Sequence, residues 1–297
     1  MKVLITGANG QLGSELRRDL ASGRTELGEI PAALKSAQVI GVDVAELDIT
    51  DGPAVQQYLQ NNPVDVIINC AAMTNVDGCE KELEVAFKVN ALGARNLAIA
   101  AEAIGAKLIH VSTDYVFAGD GFSPYIEWDL VNPKSIYGKS KALGEQYVQT
   151  FCSRYFIVRT AWLYGYEGNN FVKTIMRVAR KNGSIKVVDD QLGNPTNAVD
   201  LAHHLLKLAA TEQYGIYHCT GTGICSWYDF ASKIVELAGI DCQVNACTTE
   251  EYGSPTRRPA YSALDNMALR CTVGDEMRPW EEALTCFFEN YTESEKA

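Results

Sequence analysis

The run Val3-Leu4-Ile5-Thr6 leads without a break into Gly7-Ala8-Asn9-Gly10-Gln11-Leu12-Gly13, and that opening narrows the possible folds sharply. A short apolar strand, a glycine turn and a helix in direct succession present backbone N–H groups and a positive helix end to a pyrophosphate. In this spacing Gly7 permits the turn, Gly10 removes a side chain that would block the phosphates, and Gly13 lets the helix pack close to the strand.

The rest of the first half repeats the strand–helix alternation. Lys2–Thr6, Gln38–Val42, Val64–Asn69, Lys107–Ser112 and Tyr155–Arg159 read as strands, and Leu12–Ala21, Gly52–Asn61, Val85–Ile104 and Pro133–Phe151 as helices. Short apolar runs that do not alternate strictly, separated by helices, indicate a parallel sheet covered on both faces. The expected class is therefore α/β: a Rossmann-type doubly wound parallel sheet with a smaller C-terminal substrate-binding lobe. The expected division is residues 1–168 for the dinucleotide domain and 169–297 mainly for the lobe, with segments near 196–220 returning to the sheet. In the second half, Asn169–Lys181, Asp200–Ala210, Ser226–Ala238 (Ser226 as N-cap) and Trp280–Asn290 read as helices. Lys186–Asp189 and Gly215–Cys219 read as strands, Thr248–Ala260 as a loop and 289–297 as a polar, frayed tail. The stretch Ala21–Gln38 is long and polar and reads as a surface excursion.

Composition removes several function classes. The net charge is −11 and no run of Lys or Arg occurs, which argues against nucleic-acid and anionic-membrane partners. No stretch approaches ~18 consecutive apolar residues, so no membrane span is expected. The nine cysteines are scattered without a Cys-x-x-Cys; Cys70 reads as a small buried hydrophobe. Free thiols and an opening without a leader pattern predict a cytoplasmic protein, and no metal site is assigned.

Ligands of a parallel sheet bind beyond the carboxyl ends of its strands. The second strand ends in Asp43, which can accept both ribose hydroxyls of an adenosine and would repel a 2′-phosphate. Asp48 follows at a distance suited to the adenine or to a turn. After the third strand, Asn69-Cys70-Ala71-Ala72-Met73-Thr74 supplies small residues that leave room for a ribose or nicotinamide. Asn90, in an apolar helix, must satisfy its amide and reads as a brace to the backbone.

The fourth strand ends in Ser112-Thr113-Asp114, and some two dozen residues later comes Tyr137-Gly138-Lys139-Ser140-Lys141. Tyr137 and Lys141 share a helix face. An ammonium there favours phenolate and is expected to lower the Tyr137 pKa. A Thr113 hydroxyl at a strand end can bond a substrate carbonyl as charge builds on its oxygen. Together with the glycine loop, these residues describe a nicotinamide-dependent reductase or its reverse.

The glycine spacing, the Asn-Cys-Ala-Ala segment, Ser-Thr-Asp and Tyr-x-x-x-Lys resemble those of the extended short-chain dehydrogenase/reductases, which act on nucleotide sugars. Asn69–Glu80, His110–Phe117, Arg159–Gly165, Asp190–Thr196 and Ile224–Phe230 further resemble the dTDP-4-dehydrorhamnose reductase family over about residues 1 to 285. That resemblance implies NAD(P)H-dependent reduction of the C4 ketone of dTDP-4-dehydro-L-rhamnose to dTDP-L-rhamnose, a step of rhamnose and polysaccharide biosynthesis. It implies Tyr137 as proton donor, Lys141 as its partner and Thr113 as the polarising hydroxyl. It places Gly7, Gly10, Gln11, Leu12, Gly13, Asp43, Asp48, Ile49, Ala72, Met73, Thr74 and Val111 around NADPH or NADH, and Thr113, Asp114 and Trp162 at the sugar nucleotide.

Arg257-Arg258 is the paired-arginine site of the second half, and Arg258 is the candidate for the diphosphate. The family includes dimers bridged by magnesium through acidic residues; Glu15 and Glu281-Glu282 are the acidic residues at comparable places. The chain is expected to be a monomer or homodimer. Asp43 favours NADH whereas the family accepts NADPH, so both cofactors stay open. Two other readings of the same motifs remain: another nucleotide-sugar reductase or epimerase, and a binding subunit that keeps the fold without turnover.

Overall fold

The computed structural model describes residues 1–291; the last six residues of the expected frayed tail, 292–297, lie outside the described residues. Six strands form one parallel sheet. They are β1 (Lys2–Thr6), β2 (Gln38–Val42), β3 (Val66–Asn69), β4 (Lys107–Thr113), β5 (Tyr155–Thr160) and β7 (Gly215–His218). Their spatial order is β7-β5-β4-β3-β1-β2. The order reverses at β1, so a crevice opens beyond the carboxyl ends of β1 and β3.

Successive residues along each strand point to opposite faces, and both faces are apolar. On one face Val3, Ile5, Val66 and Ile68 pack against Leu12, Leu16 and Leu20 of α1 (Gln11–Ser22) and Leu201 and Leu205 of α6 (Ala198–Ala209). On the other face Leu4, Ile67 and Leu108 meet Val55 and Leu59 of α2 (Gly52–Asn61), Leu97 of α3 (Ala94–Ile104) and Val148 of α4 (Ile136–Phe151). The four-residue spacing Leu12–Leu16–Leu20 gives α1 one buried stripe. Leu16 is fully buried, so Leu16→Ala would cost about 2–5 kcal/mol.

A third core belongs to the second half. Val172 and Met176 of α5 (Phe171–Asn182), Phe230 and Ile234 of α7 (Trp227–Leu237), and Trp280 and Phe287 of α8 (Trp280–Asn290) surround it. The strands β6 (Ser184–Val188) and β8 (Gln243–Cys247) pair in parallel beside it. Sequence patterning had no signal for β8, whose burial does not alternate cleanly. Ser226 does cap α7, and a reciprocal bond with Asp229 completes a capping box.

Three local departures have physical causes. The expected helix Val85–Ile104 is divided into Leu83–Phe87, a π-helical stretch Lys88–Gly93 and α3. The wider turn carries Asn90, whose Oδ1 accepts from Met73 N at 2.8 Å while its Nδ2 donates to Met73 O at 3.0 Å and Ser140 Oγ at 3.0 Å. The excursion after α1 folds into a small antiparallel pair, Arg24–Thr25 with Gly28–Glu29. In the segment read as a loop, Thr249–Tyr252 forms a helical turn capped by Thr248 and Glu251. Among the described residues no helix is long and apolar enough to cross a membrane.

Candidate active site

A cavity of about 530 Å³ lies at the carboxyl ends of β1, β3, β4 and β5. Gly7, Gly10, Gln11, Leu12 and Gly13 line it from the loop before α1, and Ala72 and Thr74 from the segment after β3. Val111, Thr113, Asp114, Tyr137, Lys141 and Trp162 line it as well. A second cavity of about 320 Å³ adjoins it, lined by Asp43, Asp48 and Ile49, and both share Gly7, Gly10, Cys70 and Ala72. Cys70 is therefore half-buried: it packs against the core, as its apolar surroundings suggest, and also borders both cavities.

The loop geometry needs its glycines. Gly7 has φ +64°, and a Cβ there would lie 2.8 Å from Ala71 N. Asn170 caps α5 and its Nδ2 donates to Gln11 Oε1 at 3.0 Å, which ties the second half of the chain to the loop. Asp43 accepts from Asn9 N at 3.2 Å through Oδ2 and from Val44 N at 2.9 Å through Oδ1. Asp48 accepts from Thr50 N at 2.8 Å, and those bonds hold its carboxyl below the usual range. Both acids thus shape turns and still face the second cavity. Met73 lines neither cavity, because Asn90 holds its backbone on both sides.

Helix α4 starts at the N-cap Ser135, whose Oγ accepts from Gly138 N at 3.1 Å. A Cβ at Gly138 would strike the Tyr115 carbonyl, so the glycine lets the first turn of α4 press against the end of β4. That contact brings Tyr137 beside Thr113, and its ring meets Tyr115 edge-on with centroids 5.4 Å apart. Burial pushes the Tyr137 phenol above its ordinary value, and the Thr113 hydroxyl is the contact that draws it back. The expectation that Lys141 lowers the tyrosine is corrected here: Lys141 is 2 % exposed and donates to Val111 O at 2.7 Å instead. Burial holds Lys141 itself down at about 8, although Glu145 and Cys70 oppose the shift.

Thr113 Oγ1 donates to Asp114 Oδ1 at 2.7 Å and accepts from Tyr115 N at 3.2 Å. Burial raises Asp114 to about 6, against the bonds from Thr113 and Ser262. Below the site, Arg159 donates to both oxygens of Glu145 at 2.9 and 2.7 Å, and Ser112 Oγ donates to Oε1 at 2.6 Å. This fully buried pair anchors α4 to β4 and β5.

Trp162 is the one non-glycine residue with positive φ among the described residues, at 48°. Its ring stacks on Trp227 at 3.5 Å between centroids, and both line the large cavity. Arg258 lies outside that cavity. It pairs with Asp77 at 3.4 Å and, with Arg257 and Lys134, lines a third space of about 90 Å³ that meets the large cavity at Tyr115. Trp227, Tyr115 and Asn170 are wall residues to which sequence reading gave no role; the first two stood inside the quoted segments Ile224–Phe230 and His110–Phe117. Glu15 is buried and paired with Arg18, whereas Glu281 and Glu282 are exposed. Among the described residues no group of three or more His, Cys, Asp or Glu is placed to hold a metal ion, so bridging magnesium has no support here.

A parallel sheet whose glycine loop and Tyr-x-x-x-Lys helix face one cavity defines the class as an extended short-chain dehydrogenase/reductase scaffold. The same fold occurs in a UDP-glucose 4-epimerase of Thermus thermophilus (TM-score 0.79, 19% identity, covering 97% of this chain and 98% of that one). More narrowly, the chain belongs to the RmlD substrate binding domain family, which it matches over residues 1–293. It is 44% identical to the spore coat polysaccharide biosynthesis protein SpsK of Bacillus subtilis, over 95% of both chains. It is 37% identical to the dTDP-4-dehydrorhamnose reductase of Escherichia coli, again over 95% of both. A crystal structure of dTDP-4-dehydrorhamnose reductase from Bacillus anthracis in complex with NADP superposes with TM-score 0.90 at 45% identity, covering 97% of this chain and 98% of that one.

Proposed function

We propose that this chain is an NAD(P)H-dependent reductase that converts the C4 ketone of dTDP-4-dehydro-L-rhamnose to the alcohol of dTDP-L-rhamnose. The carrying observation is that Tyr137, Thr113 and Lys141 line the same cavity as the glycine loop. The relatives that bear this activity in their names support the choice of sugar nucleotide.

The groove fits a dinucleotide. Two adjoining cavities share Gly7, Gly10 and Ala72 as wall residues. The N-terminus of α1 offers N–H groups to a pyrophosphate. When bound, the nicotinamide cofactor supplies a hydride.

The protein's own part is proton delivery and orientation. Burial keeps the proton on the Tyr137 phenol, which suits an acid that must release it only when charge gathers on the ketone oxygen. Thr113 can turn its hydroxyl from Asp114 to that same oxygen, and Asp114, half-ionised near pH 6, takes a bond from the sugar or from Thr113. The Trp162–Trp227 stack forms an apolar wall for the sugar ring, and Arg258 offers a guanidinium toward the diphosphate.

The test is to supply dTDP-4-dehydro-L-rhamnose with NADPH or NADH, follow reduced-nicotinamide absorbance and identify the product by NMR. Equimolar loss of reduced cofactor and formation of dTDP-L-rhamnose is expected. Conversion without added cofactor would mark an epimerase, and no conversion would remove this reading.

A further inference from the structure

His110 lies on β4 directly behind Lys141 and lines no cavity at the site. We propose that His110 is a positioning residue: fixed by Asn69, it directs an N–H at Lys141 Nζ and keeps that nitrogen ready to give up a proton toward Tyr137. The proposal rests on the reading of Tyr137 as proton donor.

The orientation follows from a chain of donors that leaves one solution. Ala71 N–H can only donate, and it faces Asn69 Oδ1 at 3.2 Å. Thr6 Oγ1 donates to the same oxygen at 2.7 Å. The amide nitrogen Nδ2 of Asn69 therefore faces His110 Nδ1, 2.9 Å away, and donates to it. An imidazole whose Nδ1 accepts, and which is 1 % exposed and neutral, carries its proton on Nε2. Nε2 lies 3.5 Å from Lys141 Nζ.

An ammonium has three N–H groups and no lone pair, so it gains nothing from facing another N–H. An amine can accept from it. Either form can donate to Val111 O at 2.7 Å. The fixed tautomer of His110 thus favours the amine. The other groups around Lys141 do not share that bias: Glu145, a turn later on α4, favours the ammonium, and Cys70, on the segment after β3, is a thiol that burial pushes up to about 12. Tyr137 stands one turn earlier on α4 as a neutral phenol. His110 is held well below its ordinary value by burial and by Lys141, which agrees with a neutral ring.

The proton count closes. Tyr137 gives its O–H proton to the ketone oxygen as hydride reaches carbon, leaving a phenolate. A proton released by the Lys141 ammonium into the cavity that both residues line restores the phenol through solvent there, and the amine left behind accepts from His110 Nε2–H. Solvent in the cavity then returns a proton to Lys141.

The experiment begins with 15N NMR of histidine-labelled wild type, assigned through a His110→Phe variant. The Nε2–H tautomer is expected for His110; an Nδ1–H tautomer overturns the proposal. The pH profile of kcat/KM for reduced-cofactor oxidation is the second readout. Wild type should lose activity as pH rises through about 8, and in His110→Phe that limb should move up by about one pH unit with KM for the sugar little changed. An unmoved limb in a folded variant overturns the proposal. Where His110→Phe does not fold, the signal is assigned by exclusion of the other three histidines, and the wild-type tautomer alone decides. A wild type without any reductase activity would instead strike the underlying functional reading.

Discussion

Lys141 turns its ammonium to the carbonyl oxygen of Val111, 2.7 Å away, although Tyr137 stands one turn earlier on the same helix. The side chain is buried, and its depressed pKa is a direct statement about stability. Between pH about 8 and 10.5 the unfolded chain binds the lysine proton and the folded chain does not, so stability rises with pH across that window. Below about 8 both states are charged and the full desolvation cost remains. Lys141→Met should therefore raise stability at pH 7 by about 1–3 kcal/mol, after allowing for the lost bond to Val111, and should abolish turnover. Thermal melts at pH 7 and pH 10 check this; an advantage that does not shrink at the higher pH would refute it.

The Glu145–Arg159 pair holds α4 in place from below. Glu145→Gln leaves the Arg159 charge uncompensated in the core, and such a loss costs about 3–5 kcal/mol. Denaturant unfolding should show a fall of that size, and a change under about 1 kcal/mol would mean that the pair behaves as a solvated one.

Trp227 supports Trp162 across 3.5 Å of ring-to-ring separation. Trp227→Ala removes that support, so KM for the sugar nucleotide should rise by about tenfold, the scale of an aromatic pair plus its buried area, while cofactor affinity stays. Equal losses for both ligands would place the stack outside the sugar site.

Asp43 holds the turn after β2 through bonds to Asn9 and Val44. Replacing it with Ala should shift kcat/KM toward NADPH relative to NADH, because a carboxylate that would repel the 2′-phosphate is gone. A selectivity ratio unchanged within error would assign Asp43 to the turn alone.

The sheet and the glycine loop were legible because their signals are local: apolar runs for strands, and a spacing of glycines that a tight turn requires. That Tyr137, Lys141 and Thr113 share one cavity wall was legible for the same reason, each lying within a short segment of fixed geometry. What could not be read was which partner each side chain takes. Helical spacing puts Lys141 on the face of Tyr137, yet the bond to Val111 arises from the packing of α4 on β4, which joins residues 30 apart. The family resemblance placed Met73 at the cofactor, whereas its backbone is bound on both sides by Asn90, 17 residues on, and it lines neither cavity. The Trp162–Trp227 stack and the link from Asn170 to Gln11 are likewise products of tertiary packing, and no window of sequence contains them.

The account turns on Tyr137 as the acid, and the direct measurement is the rate of reduced-nicotinamide oxidation by Tyr137→Phe with dTDP-4-dehydro-L-rhamnose at saturation. The expected result is a kcat lower by about two to four orders of magnitude with the Kd of the cofactor unchanged. A kcat close to that of the unaltered protein would contradict the account.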